Sequence, residues 1–256
     1  MCNIQMIDEY LSQLAPTRLS ESWDNDGVMV CGDKKKSVGK VLVCLEVTDN
    51  ALAYAVDNSF DLIITHHPYI FRKLSRVCSG DYKNLETMMK NGISVLSYHT
   101  RLDSADGGVN DVLAETLGLE NIVPFGGETE NIGRMGSLEK EMTQNEFAYL
   151  LKEKLGCDIR CAVNEEKTVK SVAVVGGAGK DYIFESISMG ADAFVTSEVP
   201  HHLFIAAREM GFGLYDCGHY YTENPVCEKI AKLVKEKFDG IEVQVFDVKC
   251  PYTCIQ

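Results

Sequence analysis

The chain has 256 residues, enough for one large domain or for two domains of about 100–150 residues each. Its formal net charge is −13, and an excess of negative charge repels nucleic-acid backbones and anionic membrane surfaces. The one compact basic run, Lys34 to Lys36, is better explained by a solvated hairpin tip than by a binding site. Nucleic-acid binding is therefore disfavoured, and no membrane partner is expected.

Localisation and redox state follow from the apolar runs and the cysteines. No stretch approaches the roughly 18 apolar residues that cross a bilayer. The first ten residues lack the basic run and apolar segment of a secretory signal, so we expect a soluble, cytoplasmic protein. The ten cysteines contain no Cys-x-x-Cys pair and are predicted to be reduced thiols without a zinc site.

Short apolar runs alternate with amphipathic stretches from residue 40 onwards. The order strand, helix, strand is typical of βαβ units and a mostly parallel sheet. Gly118 fits the position after a helix end. The first half is predicted to contain strands at 40–47, 61–65 and 93–98 and helices at 49–58, 84–91 and 108–117.

The second half repeats this order. Thr143 and Glu146 fit a capping box at the start of a helix, and a last helix is predicted to open between Thr222 and Pro225. The other predicted elements are strands at 171–175, 192–196, 212–216 and 241–248 and helices at 180–189 and 200–210.

The two halves correspond in detail. FDLIITHH (60–67) aligns with ADAFVTSE (191–198), and SYHTRLD (97–103) aligns with CGHYYTE (217–223). We therefore predict an α/β fold of two related βαβ-containing lobes with mostly parallel sheets. The lobes would span residues 1–125 and 126–256, with the boundary near 124–130.

Histidines and acids follow the predicted strands, at the edge where parallel sheets bind ligands. Imidazole nitrogen and carboxylate oxygen suit Zn, Fe, Mn, Co or Ni, and a carboxylate can bridge two ions that activate water. Adjacent histidines can reach one site only if the backbone turns, which Pro68 favours. The predicted ligands are His66, His67, Asp103, His219 and Glu223, the last at the start of a helix.

Other features allow two interpretations. His99 could orient a ligand or bind metal directly, and Trp23 could line a pocket or belong to the core. His201 and His202 are better explained by packing on a helix surface. The segment GGAGKD (176–181) lacks the phosphate-loop spacing and is predicted to be a tight turn, although its amides could receive an anion.

Five segments together resemble the YbgI-like dinuclear metal centre family, whose members often bear the name GTP cyclohydrolase 1 type 2 homologue. The resemblance extends over nearly the whole chain. The segments are DNDGVMV (24–30), THHPYIF (65–71), SYHTRLDSADGGVND (97–111), GADAFVTSEVPHH (190–202) and GHYYTE (218–223).

The resemblance implies two divalent metal ions in a cleft between the lobes. One ion would be held by His66 and His219, the other by His67 and Asp103, with Glu223 bridging them. It also implies a homohexamer. Arg101 stands where a neutral residue is common, and a solvent-facing side chain is its simplest explanation, although it could favour an anionic substrate.

Two functions remain open at this stage. The first is a metal-dependent hydrolase of the GTP cyclohydrolase type, acting on a nucleotide such as GTP. The second is a non-enzymatic, metal-binding oligomeric scaffold or regulator. No residue spacing indicates guanine recognition, so the substrate rests on the resemblance alone.

Overall fold

The computed structural model describes residues 2–78, 80–126 and 131–255. The chain separates into two compact units, Met1–Ala105 with Val226–Lys249 and Asp106–Pro225 with Cys250–Gln256. No helix in the described part of the chain combines the length and the apolar character needed to cross a membrane.

Ten α-helices and eleven strands make up the described ranges. The helices are α1 (Ile4–Leu14), α2 (Asp49–Asp57), α3 (Lys83–Asn91), α4 (Thr100–Ser104), α5 (Val109–Leu117), α6 (Gln144–Leu155), α7 (Ile183–Ser188), α8 (His201–Met210), α9 (His219–Glu223) and α10 (Val226–Lys237). The strands are β1 (Gly27–Val30), β2 (Lys40–Cys44), β3 (Leu62–Thr65), β4 (Ser94–Ser97), β5 (Glu120–Phe125), β6 (Gly133–Thr143), β7 (Arg160–Ala162), β8 (Thr168–Val174), β9 (Ala193–Thr196), β10 (Gly213–Asp216) and β11 (Glu242–Val245).

The first unit contains a five-stranded sheet in the order β1-β4-β3-β2-β11. Strands β4, β3, β2 and β11 run parallel, and β1 pairs antiparallel with β4. Every residue of β3 and β4 is buried. Burial on both faces explains why these strands read as continuous apolar runs rather than as alternating ones.

The second unit contains a six-stranded sheet in the order β5-β6-β8-β9-β10-β7. Its centre, β8-β9-β10, is parallel, whereas β7 pairs antiparallel with β10, and β6 pairs antiparallel with both β5 and β8. Four strands of this sheet, in the order β7-β10-β9-β8, match β1-β4-β3-β2 of the first sheet. The match holds for the order of the strands along the chain and for their directions. The predicted mixed α/β fold with two related sheets is confirmed. Within the second sheet, parallel pairing is limited to the three central strands.

The units differ from the two consecutive lobes at 1–125 and 126–256. The boundary at residue 125 falls between β5 and β6, which pair within one sheet, and residues 127–130 lie outside the described part. Strand β11 returns to pair with β2, with Glu242 opposite Lys40, so the first unit closes with a segment from the end of the chain.

Local capping signals mark several helix ends, of which Gly118 and the capping box of α6 were predicted. Thr48 accepts a hydrogen bond from the Ala51 amide and caps α2. Gly118 adopts the left-handed conformation after α5. The capping box of Thr143 and Glu146 is present at the start of α6.

Two local predictions were wrong. Lys34 to Lys36 do not form a hairpin tip, because β1 pairs with β4 instead of β2. The last helix begins at Val226, after Pro225, and a separate single-turn helix, α9, precedes it. Glu223 is therefore the last residue of α9 and does not lie at a helix start.

Candidate metal centre

Three histidines of the first unit come together at the carboxyl ends of β3 and β4. Each ring contributes one nitrogen to a group whose atoms all lie within 4.8 Å of one another; the rings are those of His66, His67 and His99. The His66 and His67 ring centroids are 5.0 Å apart, because the chain leaves the strand at Thr65. The predicted backbone turn at these adjacent histidines is therefore present.

The Nδ1 atoms of the two adjacent histidines are held by oxygen acceptors. His66 Nδ1 lies 2.9 Å from the Tyr98 carbonyl oxygen, and His67 Nδ1 lies 2.6 Å from Glu46 Oε2. A carbonyl or an ionised carboxylate can only accept, so the ring proton sits on Nδ1 and Nε2 keeps its lone pair. This is the arrangement of metal-binding histidines. His66 Nε2 lies 3.5 Å from Asp103 Oδ1.

Asp24 orients His99 in the same way. Its Oδ1 accepts from His99 Nδ1 at 2.9 Å, and its Oδ2 accepts from the Thr100 amide and hydroxyl at 3.0 and 2.7 Å. Burial alone would raise the pKa of Asp24, but the hydrogen bonds from His99 and Thr100 hold it well below its usual value. Asp24 is thus an ionised anchor for His99.

Arg101 is buried, contrary to the solvent-facing position expected for it. Only 2% of it is exposed; its Nε lies 3.1 Å from Asp26 Oδ2, and its guanidinium carbon lies 4.2 Å from the centre of the Tyr98 ring. Because its charge is neutralised by Asp26, Arg101 does not present a free cation to a substrate. It ties helix α4, which carries Asp103, to the segment before β1.

In the second unit, His219 and Glu223 lie one helical turn apart on α9. His219 Nε2 is 2.9 Å from Glu223 Oε2, and His219 Nδ1 is 2.8 Å from Glu198 Oε1. Glu223 is 4% exposed, so its carboxylate is buried. Because Glu198 holds Nδ1, Nε2 is the ring nitrogen that faces Glu223.

Glu198 adopts a left-handed backbone conformation, with φ +55°. This conformation costs a residue with a side chain roughly 1–2 kcal/mol. Strain of this kind persists where the surrounding structure requires it, often at functional sites. Here the strained residue, Glu198, is the one that holds the His219 ring through its hydrogen bond.

The glycine segment after β8 packs directly on these ligands. Gly177 has φ +61°, and a Cβ atom there would penetrate Glu223 Oε1 and lie 3.2 Å from His219 Nε2. The Gly176 and Gly177 amides donate to the side chains of Asn110 and Thr222. The segment is a tight turn, and these two amides are not available to an anion.

The five predicted ligands belong to the two units as separate sets. His66, His67 and Asp103 lie in the first unit, and His219 and Glu223 lie in the second. His201 and His202, in contrast, are exposed at the first turn of α8.

Sequence reasoning did not identify Glu46 and Glu198 as partners of the histidines. Both lie 21 residues before the histidine that they orient, at the end of the neighbouring parallel strand. The internal repeat did not give this signal, because it aligns Glu198 with His67 and not with Glu46.

The residues fit a divalent metal centre. Imidazole nitrogens with fixed Nδ1 protons and buried carboxylates are the donor set of transition metals with mixed nitrogen and oxygen ligands. Hydrogen bonds hold the histidine rings in fixed orientations, and such support lowers the cost of assembling a site.

Comparison with known proteins supports the resemblance noted in the sequence. The family model Duf34/NIF3 (NGG1p interacting factor 3) matches residues 2–251. A protein of Clostridium perfringens named GTP cyclohydrolase 1 type 2 homolog is 36% identical over 238 residues, covering 90% of each chain.

Solved structures agree with this assignment. A hypothetical protein of Staphylococcus aureus superposes with a TM-score of 0.91 at 26% identity, covering 99% of each chain. The protein ybgI, described as of unknown function, gives 0.86 at 25% identity and covers 98% of this chain and 100% of its own.

Proposed function

Because this chain belongs to the Duf34/NIF3 family, we propose that it binds a pair of divalent metal ions and hydrolyses a nucleotide with them. One observation carries the proposal. Four imidazoles, His66, His67, His99 and His219, each have Nδ1 fixed by an oxygen acceptor, so that Nε2 is the atom offered for coordination.

The proposed ligand set follows the family pattern. His66 and His219 serve one ion, His67 and Asp103 serve the other, and Glu223 bridges the two. The proximity of His219 to Glu223 within the second unit supports a shared ion for these two residues. Zn, Fe, Mn, Co and Ni all suit this donor set.

His99 has two proposed roles. Its fixed tautomer and its place within 4.8 Å of His66 and His67 are compatible with a direct ligand. The internal repeat aligns His99 with His219, a proposed ligand, which also favours a direct ligand role for His99. Orientation of the other two rings is the alternative.

When bound, such ions lower the pKa of a coordinated water and polarise the bond that is attacked. The contribution of the chain is to fix the ligands. Glu46, Asp24 and Glu198 hold the histidine rings, and Gly177 leaves space for the bridging carboxylate.

A nucleotide such as GTP is proposed as substrate because the Clostridium relative bears the name GTP cyclohydrolase 1 type 2 homolog. The test is a hydrolysis assay with GTP on metal-loaded protein, beside the His67→Ala variant. The proposal is supported if the native protein turns GTP over and the His67→Ala variant does not, whichever metal is supplied to the variant. A loaded protein that leaves GTP and other nucleoside triphosphates intact favours the metal-binding scaffold instead.

By the same family resemblance we propose a homohexamer. Light scattering on the purified protein tests it against the chain mass of 28.4 kDa. A mass six times that value agrees with the proposal, and a monomer contradicts it.

A further inference from the structure

Two large aromatic side chains of the first unit stand in solvent beside the histidine cluster. Trp23 is 59% exposed and Phe71 is 50% exposed. Their ring centroids are 6.0 Å apart, and each lies 6.1 Å from the His99 ring. Trp23 is therefore not a core residue. Exposed apolar surface next to a candidate site is a mark of ligand binding.

Hydrogen bonds fix the residues next to the two rings. Trp23 precedes Asp24, whose carboxylate is fixed by His99 and Thr100. The side-chain amide of the next residue, Asn25, donates to the carbonyl of Ile70, directly before Phe71. Both rings are thus attached to backbone that is already ordered, which reduces the entropy lost when a ligand binds.

We propose that Trp23 and Phe71, here called the aromatic corner, stack against the planar ring of the molecule that reaches the histidine cluster. This inference rests on the proposed function, whose substrate it specifies further. The two rings are inclined at 55°, so a planar ligand lies flat on one ring and meets the other with its edge.

The chemistry of the corner defines the ligand class. Stacking accepts any base, because every base has a π-face, so the corner selects planar heterocycles and not guanine in particular. Phe71 is followed by Arg72, Lys73 and Arg76, all exposed, in a chain of net charge −13. A local excess of positive charge attracts an anion. A phosphorylated planar heterocycle fits both features.

The chain contains one tryptophan, so tryptophan emission, excited at a wavelength that tyrosine does not absorb, reports on the corner. Guanosine monophosphate and ribose 5-phosphate form a matched pair of probes, because they share the phosphate and differ in the planar ring. After correction for absorption, guanosine monophosphate should quench Trp23 saturably, and ribose 5-phosphate should not. Adenosine monophosphate should also quench, since stacking is tolerant of the base.

Variants separate the corner from general effects. Phe71→Leu keeps an apolar side chain but removes the ring, and should weaken binding of guanosine monophosphate about tenfold. Tyr149→Leu is the control, because Tyr149 is 76% exposed on α6 in the second unit and should leave binding unchanged.

Several results would overturn the inference. Equal quenching by ribose 5-phosphate, or unchanged affinity in Phe71→Leu, would show that no ring stacks there. Emission that depends on protein concentration without ligand would show that a second copy of the chain covers the corner.

The metal content of the same samples is measured in parallel. Metal-loaded protein without ring-dependent quenching refutes the corner alone. Quenching in a protein that binds no metal refutes the proposed function alone.

Discussion

Replacing Gly177 with Ala should weaken metal binding without changing any of the proposed ligand residues. The new Cβ would penetrate Glu223 Oε1 and lie 3.1 Å from Glu223 Cδ. Optimal contact between carbon atoms is about 3.5–4.0 Å, so Cδ must retreat by roughly 0.4–0.9 Å and the closer Oε1 atom by more. Ligands displaced by this amount no longer match the geometry that a metal site requires.

Gly156→Ala is the matched control. Gly156 has φ +67°, close to the +61° of Gly177, and has open space around its Cβ position. Both variants incur the left-handed penalty of roughly 1–2 kcal/mol, partly offset by about 0.4–1 kcal/mol from the stiffer unfolded chain. Each should therefore lose about 1 kcal/mol of stability from the backbone alone.

Metal affinity separates the two variants. Isothermal titration of metal-depleted protein should give at least tenfold weaker metal binding for Gly177→Ala. Tenfold is the lower end of the loss in affinity that is typical when the groups supporting a metal ligand are disturbed. Gly156→Ala should bind as the native chain does. If both variants bind metal equally well, contact between the glycine segment and Glu223 has no part in the site.

Three further predictions follow from the same contacts. Glu198→Gly should be about 1 kcal/mol more stable than Glu198→Ala in chemical denaturation, because only glycine relieves the left-handed strain, while both should bind metal about 10–100-fold more weakly. His99→Ala should weaken metal binding less than His67→Ala, and an equal loss measured by titration would make His99 a direct ligand. Arg101→Leu should cost about 3–5 kcal/mol in the free energy of unfolding, because it leaves the charge of Asp26 buried; a loss below 1 kcal/mol would contradict this.

The parallel strands could be predicted because local sequence determines their pattern. The buried apolar runs at β2, β3, β4, β9 and β10 are continuous, and each is followed by a polar turn. The two edge strands of the second sheet were missed. Strand β5 is mostly exposed and β7 has one buried residue, so neither carries the apolar pattern that identifies a strand.

Local patterns could not predict which segments of the chain belong to each unit. Strand β11 was recognised as a strand, but its partner β2 lies about 200 residues away in the sequence. No short-range signal specifies such a pairing, and consecutive lobes were the simpler expectation. The return of β11 is what makes the first unit discontinuous.

The sequence predicted candidate ligands but not the residues that orient them. The five candidate ligands follow strand ends in both halves, which places them at the ligand-binding edges of parallel sheets. Asp24 lies 75 residues from His99, and only the fold brings the two together. Glu223 was placed at a helix start because α9 is a single turn, too short to give a periodic pattern.

The central claim is the pair of metal ions, and elemental analysis of the purified protein tests it most directly. The protein should be expressed without a metal-binding tag and compared with a His67→Ala/Glu223→Ala double variant. We predict about two transition-metal ions per native chain and loss of them in the variant. A native protein that stays free of metal after incubation with Zn, Mn and Fe would contradict the account.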